Sequence, residues 1–475
     1  MPPSPRTAEF AGRFYPESPE ELSREIDSYL DKAKVPRIEG DIVAALAPHA
    51  GYSYSGPVAA HTYKALQGKK FDVVAIIGSP HRAPYPGLLL DERSAYRTPL
   101  GEVPVDLDAL DKLRRSPARV RVSPEAHAGE HSVEVQVPFL QKTLEGFSIL
   151  PMVAGAHSAE EAKPLGEALV KALEGKRALI LASADLSHFP SQEDARRADL
   201  ACLQAAAVMD PEYLFTTEAA LMDLRIKRMD CACCGTGALA VAQAAAARLG
   251  ADRGQVLRYA NSGDVSGDPD RVVGYGSALF LKTGKPREER LFELSESDKK
   301  ELLALARKSL DEHLRKGTEP KPVLSENPRL NLPSGVFVTW WRRGASGLDL
   351  RGCIGDPYAE KTLGNAVGYY AIQSATSDPR FPRIRGPELP LLACEVSVLS
   401  PMMPSSLDRV RPGIGVMLAS GDRRGLFLPE VWEKLPGKDE FLGELCRQKL
   451  GLSYDAWRTS SLEVFTFSSQ VALEE

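Results

Sequence analysis

Three apolar runs, each ending in a loop that carries a histidine, constrain this chain more than any other feature. Ile42 to Leu46 reads as a buried strand. It leads into Ala47-Pro48-His49-Ala50-Gly51-Tyr52-Ser53-Tyr54-Ser55-Gly56, after which Val58 to Leu66 has helical spacing. Phe71 to Ile77 is a second run and ends in Gly78-Ser79-Pro80-His81. Arg177 to Ala182 is a third and ends in Ser183-Ala184-Asp185-Leu186-Ser187-His188. Open α/β sheets bind ligands at the carboxyl edge of their strands. Three strands that deliver a histidine to one edge therefore predict a site there.

The alternation continues to about residue 283. Further strands are expected near 147–153, 255–260 and 272–281, the last two joined by the turn-rich Asn261 to Asp268. Helices are expected near 57–67, 106–115, 133–144, 159–174, 191–208 and 235–249. An earlier helix is announced by Ser18-Pro19-Glu20-Glu21, an N-cap, an N1 proline and first-turn carboxylates, with Leu22, Ile26 and Leu30 as its apolar stripe. The pattern is α/β, a mostly parallel sheet flanked by helices. The polar stretch from Thr283 to Arg290 breaks it. The expected organisation is thus a first domain over 1–283, a linker over 284–291, and a second domain over 292–475. The second begins with a helix capped by Ser295-Glu296-Ser297-Asp298. Strands near 335–342, 347–354, 393–399, 414–419 and 424–428 with helices near 361–376 and 438–449 then suggest α+β around an antiparallel sheet.

At 475 residues the chain exceeds one ordinary core, which agrees with two domains. A net charge of −5 gives no general bias toward polyanions. No apolar run approaches the roughly 20 residues of a membrane helix, and Met1 to Phe10 lacks the apolar segment of a secretory signal. Seven cysteines do not look like a disulfide framework, so a reducing cytoplasm is the expected setting. Of eight histidines, only His313 lies beyond residue 190, which places the chemistry in the first domain.

His49, His81 and His188 suit a transition metal. Asp185 is either a fourth ligand or the acceptor that fixes an imidazole tautomer. Cys231-Ala232-Cys233-Cys234-Gly235 opens the helix near 235–249, where a thiolate gains from the helix dipole, so Cys231 and Cys234 are soft-ligand or reactive-thiol candidates. Glu130, His131 and Glu134 sit at the start of the helix near 133–144, either orienting groups at the site or forming a solvated first turn. Tyr52, Tyr54 and Asp264 fall in the loops of the predicted ligand edge and are expected to line the same cleft. In the second domain Arg351 and Cys353 lie in Leu350-Arg351-Gly352-Cys353-Ile354-Gly355, an anion or thiol site by residue type. Trp340-Trp341-Arg342-Arg343 mixes rings and cations as single-strand binders do, although an amphipathic edge strand is the plainer account in an acidic chain.

The first part resembles the Memo family over 5–282. The matching residues are Phe14-Tyr15-Pro16, Pro48-His49-Ala50-Gly51-Tyr52, Pro80-His81, Glu130-His131-Ser132-x-Glu134-x-Gln136, Ser183-x-Asp185-Leu186-Ser187-His188, Cys234-Gly235 and Ser262-Gly263-Asp264. The resemblance implies a fold like the class III extradiol dioxygenases. It implies a metal site from His49, His81 and Cys234, holding iron(II) or copper, with Asp185, His188 and His131 in catalytic roles. The second part resembles the AMMECR family over 292–472, through Leu350 to Gly355 and Asp378-Pro379-Arg380-Phe381. Proteins of both families accompany a radical-SAM protein in the AmmeMemoRadiSam system, which makes such a protein the expected partner. The leading expectation is a cytoplasmic, metal-dependent redox enzyme acting on a small or macromolecule-linked substrate. The alternative is a non-catalytic scaffold that keeps the cleft to bind a metal, ligand or peptide, since Cys234 stands where dioxygenases have a carboxylate. Nucleic acid on the second domain is the weakest expectation.

Overall fold

The computed structural model describes residues 4–82, 85–284, 292–344, 347–459 and 461–474. The chain divides into two compact units, Met1–Glu288 and Glu289–Glu475. The expected linker lies outside the described residues from position 285 onward.

Among the described residues the first unit has ten strands: Asp41–Ala47 (β1), Val73–Gly78 (β2), Leu88–Leu90 (β3), Ala95–Thr98 (β4), Gly101–Pro104 (β5), Val120–Val122 (β6), Ser148–Ala154 (β7), Ala178–Ser183 (β8), Arg253–Asn261 (β9) and Gly274–Lys282 (β10). Eight form one sheet in the order β6-β3-β7-β2-β8-β1-β10-β9, and β4 and β5 form a separate hairpin. The centre, β7-β2-β8-β1, is parallel. β10 runs antiparallel to both β1 and β9, and β3 antiparallel to β7. The central strands are buried along almost their whole length, as continuous apolar runs between two helix layers should be.

Register decides what meets at the strand ends. Ala47 of β1 pairs with Ser183 of β8, and Ile77 of β2 pairs with Ala182 of β8. The three histidine-bearing loops therefore leave adjacent strands at one level. Between Glu130 and Thr143 the expected long helix is shorter: a 3₁₀ turn, Glu134–Gln136, leads into Val137–Thr143. Pro138, which lacks an amide proton, starts the helix rather than sitting inside it. The helix Pro211–Asp223 was not expected, because its apolar residues do not form a clear stripe.

In the second unit Val336–Gly344 (β11), Gly347–Asp356 (β12), Leu392–Leu399 (β13) and Ser469–Leu473 (β18) form one antiparallel sheet, ordered β12-β11-β13-β18. Met403–Ser405 (β14), Gly415–Ser420 (β15), Arg423–Phe427 (β16) and Glu463–Phe467 (β17) form a second, ordered β14-β17-β15-β16. Helices Glu296–Lys316 and Leu363–Thr376 cover the first sheet. Trp340 is wholly buried in that core, and its indole N–H donates to the Ala371 carbonyl at 2.9 Å. Trp341 donates to Glu395 at 3.1 Å. Trp340 therefore offers no face for a base to stack on, which removes it from the nucleic-acid reading.

Candidate metal centre

The site rests on a buried polar network. Arg6 and Glu134 are both buried and form an ion pair. Glu134 also accepts from the Phe10 amide at 2.8 Å and the Tyr15 hydroxyl at 2.7 Å. Arg6 donates onward to the carbonyls of His127 and Glu130, each at 3.1 Å. The segment around 130 is thus tied to the chain's first fifteen residues. Glu130 and Glu134 are buried, so the solvated-turn reading of this segment is overturned. Gly78 ends β2 against it; a Cβ there would lie 2.2 Å from Ser132 Oγ, so only glycine permits the approach.

That approach brings His131 to the strand-end loops. One ligand nitrogen from each of His49, His81 and His131 lies within 4.8 Å of the others. The rings of His49 and His81 stand 5.1 Å apart, nearly perpendicular, and His131 stacks on His81 at 4.6 Å. Phe14 packs on the outer side of His131 at 4.7 Å.

Hydrogen bonds fix which nitrogens face inward. The single hydroxyl proton of Ser183 goes to the Ser132 carbonyl at 2.6 Å, and Gln136 donates to the same oxygen at 2.7 Å. His49 Nδ1, 3.1 Å from Ser183 Oγ, must then donate to it, which leaves Nε2 as a bare lone pair. His81 Nδ1 donates to Glu130 Oε1 at 3.0 Å, and Glu130 Oε2 accepts the His81 amide at 3.0 Å. That leaves His81 Nε2 as the nitrogen that would ligate, a bound metal displacing any proton it carries. Burial, reinforced by the neighbouring histidines, lowers both His49 and His131 to about 3, so both are neutral at pH 7. Burial also opposes charge on His81, but the Glu130 hydrogen bond and its charge outweigh it and raise that imidazole.

Cys234 Sγ lies 3.3 Å from His49 Nε2 and 3.3 Å from the Asp185 amide. Burial first, then the Asp185 charge, pushes the Cys234 thiol well up. Cys231 is pushed to about 12, again by burial first. Desolvation thus opposes the dipole-stabilised thiolate expected at this helix start, and Cys234 Sγ lies within hydrogen-bond distance of the His49 Nε2 lone pair. Asp185 Oδ1 accepts the His49 amide at 2.7 Å, and burial raises its carboxyl. His188 is lowered by burial, and its Nε2, shielded from solvent, finds no partner among the described residues.

The other expected residues fall at varying distances from this cluster. Tyr52 is buried and donates to the Val135 carbonyl at 2.6 Å, a framework contact. Tyr54 is 41% exposed. Asp264 accepts from Gln192 at 2.9 Å and from the Asn261 amide at 3.0 Å, closing its own loop. Tyr275 was not singled out as a site residue. It is buried, and its phenol is raised by burial and by the charges of Asp185 and Tyr54. Its position in Val273-Gly274-Tyr275 was the only signal.

The Memo-like protein family model matches residues 6–279. The chain belongs to the Memo family. The Memo unit has a class III extradiol dioxygenase-like fold. A MEMO1 family protein of Methanopyrus kandleri is 35% identical over 288 residues, 58% of this chain and 99% of that one. A second, from Nitrosopumilus maritimus, is 35% identical over 57% of this chain and 98% of its own length. The AMMECR1 family model matches residues 303–472. A solved structure, uncharacterized protein PH0010 from Pyrococcus horikoshii, has 34% identity over 38% of this chain and 94% of that one, with a TM-score of 0.34.

In the AMMECR1 part, the two runs that carry the family resemblance, Leu350 to Gly355 and Asp378 to Phe381, meet at the outer edge of β12. Asp378 accepts the Cys353 amide at 2.9 Å, and Arg380 donates to the Cys353 carbonyl at 3.2 Å and to Asp378 at 2.8 Å. This covers an edge that would otherwise present unpaired backbone groups. The Thr339 hydroxyl donates to Cys353 Sγ at 3.1 Å.

Proposed function

We propose that the Memo unit is a metal-dependent redox protein that holds iron(II), or copper, and acts in the cytoplasm on a small or macromolecule-linked substrate. The observation that carries this reading is the convergence of three histidine nitrogens within 4.8 Å, two of the rings having Nδ1 already committed elsewhere. Two imidazoles kept neutral by burial, His49 and His131, with His81 giving up any Nε2 proton when the metal binds, are a donor set that fits a first-row transition metal. His49 and His81 would hold it through Nε2. The third ligand is His131, or Cys234 once its thiol proton leaves, as metal binding requires. When bound, the metal supplies Lewis acidity and one-electron chemistry. Glu130 holds the His81 tautomer, and the Asp185 carboxyl anchors the backbone of His49. His188, neutral and with an unspent Nε2, would take a proton from a bound substrate. A radical-SAM protein is proposed as partner on the resemblance to the three-protein system, and the AMMECR1 unit is the part proposed to meet it.

Metal analysis after purification without oxygen tests the reading. About one metal ion per chain is expected in wild type, with loss in His49→Ala and in His81→Ala. A metal-free wild type, or unchanged content in either variant, overturns it. Cobalt(II) substitution separates the two ligand sets, because a cysteine ligand adds a thiolate charge-transfer band that Cys234→Ser abolishes.

The high proton affinity of the Cys234 thiol favours a second reading, a scaffold that uses the cleft for binding without turnover. Oxygen uptake with catechols distinguishes them. Turnover that is lost in His188→Gln removes the scaffold reading.

A further inference from the structure

The AMMECR1 unit holds a second cleft that the redox reading does not use. It has a volume of about 490 Å³, within the usual range for small ligands. Its lining carries Arg342, Arg351, Arg383 and Arg385 against Asp349 and Glu388, a formal charge of four minus two, or +2. In a chain whose net charge is −5, this is a local reversal of sign.

Arg351, from the Leu350 to Gly355 motif, is the built part of the cleft. Its side chain is only 8% exposed. Nε and Nη2 donate to the two oxygens of Glu388, at 3.1 and 3.3 Å, and Nη1 donates to the Pro382 carbonyl at 2.7 Å. These bonds use three of the five guanidinium N–H groups and leave two donors on a nearly buried cation. Glu388 does not cancel the positive field, because it also takes a 3.0 Å bond from Arg342 and so shares one negative charge between two guanidiniums. Arg383 and Arg385 are exposed at the rim. Solvated surface arginines alone would imply nothing. Rim arginines arranged around a fixed, nearly buried one with two N–H groups to spare do.

We propose that this cleft binds the terminal phosphate or diphosphate of a small phosphorylated molecule. Guanidinium forks match phosphate oxygens in paired bonds, and four arginines lining one small cleft suit a compact dianion better than an extended nucleic-acid backbone. Phe381 and Leu350 supply an apolar wall for the organic part of the ligand.

Calorimetric titration of the full chain with inorganic pyrophosphate, inorganic phosphate and a nucleoside diphosphate tests the proposal. Saturable pyrophosphate binding is expected, weakening with added salt. It should fall about tenfold or more in the Arg383→Gln/Arg385→Gln double variant and strengthen in Asp349→Asn. These positions are exposed, and unchanged melting curves will show that the variants fold. A nucleoside diphosphate that binds more tightly than pyrophosphate assigns a nucleotide; equal affinity assigns the phosphate end alone. Absence of saturable pyrophosphate binding overturns the proposal, as does undiminished binding in the folded double variant. So does a single-stranded oligonucleotide that binds more tightly than any of the three anions.

Discussion

Replacing Glu130 by Gln should weaken metal binding while leaving the unit folded. Glu130 is buried and accepts three bonds, from the His81 amide, His81 Nδ1 and the Ser132 amide, at 3.0, 3.0 and 2.9 Å. It is held near 2: burial opposes its charge, but the His81 hydrogen bond and charge and the Ser132 amide outweigh burial. Glutamine has one acceptor where glutamate has two. If the amide oxygen faces His81 Nδ1 and the Ser132 amide, the NH₂ group faces the His81 amide, donor against donor. If the side chain flips, NH₂ faces Nδ1, and the imidazole proton must move to Nε2, the ligating atom. The first orientation leaves a buried donor unpaired, costing about 1–3 kcal/mol. The second abolishes the ligand tautomer. Either way a loss of roughly 10- to 100-fold in metal affinity follows, equivalent to about 1.4–2.7 kcal/mol. Competition against a chromophoric chelator measures affinity, and urea denaturation reports folding. A folded Glu130→Gln protein with wild-type affinity would refute the assignment of His81 Nε2 as a ligand.

Glu134→Ala leaves the buried Arg6 guanidinium only the more exposed Glu9 carboxylate at 3.5 Å and removes the acceptor of two backbone amides and the Tyr15 hydroxyl. A loss of about 4 kcal/mol is expected, or a drop of roughly 10 °C in melting temperature for a unit of this size; a loss well under 1 kcal/mol would contradict the buried pair. Asp199 is fully buried beside the Ser187 amide and Tyr259 hydroxyl, and burial raises its carboxyl to about 7. Its unfolded value is near 4, so the folded state binds the proton more tightly, and stability falls as pH rises through about 4 to 7 at up to ~1.4 kcal/mol per unit. Asp199→Asn should remove that slope; parallel pH profiles of denaturation for variant and wild type would rule the explanation out. A Cβ at Gly235 would lie 2.4 Å from Ala184 Cβ and 2.6 Å from Ser79 Oγ. Gly235→Ala should cost about 1–3 kcal/mol and disturb Cys234 beside it, so calorimetry showing full stability would count against this packing.

Local pattern made much of the Memo unit legible. The apolar runs before His49, His81 and His188 form β1, β2 and β8, because a strand buried on both faces needs an unbroken apolar sequence. Ser18 and Ser295 cap their helices, the latter in a reciprocal box with Asp298. Short strands such as Leu88–Leu90 and Val120–Val122 were not legible, since three residues carry too little periodicity to separate from loop. The C-terminal strands of the AMMECR1 unit were missed for a different reason. In Glu463–Phe467 and Ser469–Leu473 both elements are short and half-exposed, and each earns its place only by pairing with a distant strand.

Sequence alone determined which residue types arrive at the carboxyl edge, because strand length and turn chemistry are local properties of the polymer. It also set the division into two parts, through the loss of pattern after Thr283. Tertiary structure alone decided that His131 joins His49 and His81, that Cys234 Sγ lies against the His49 imidazole, and that Arg351 sits buried beneath a rim of arginines. Those facts depend on strand order, register and desolvation. Each of these arises between segments tens to hundreds of residues apart, where no periodicity along the chain records who the neighbour will be.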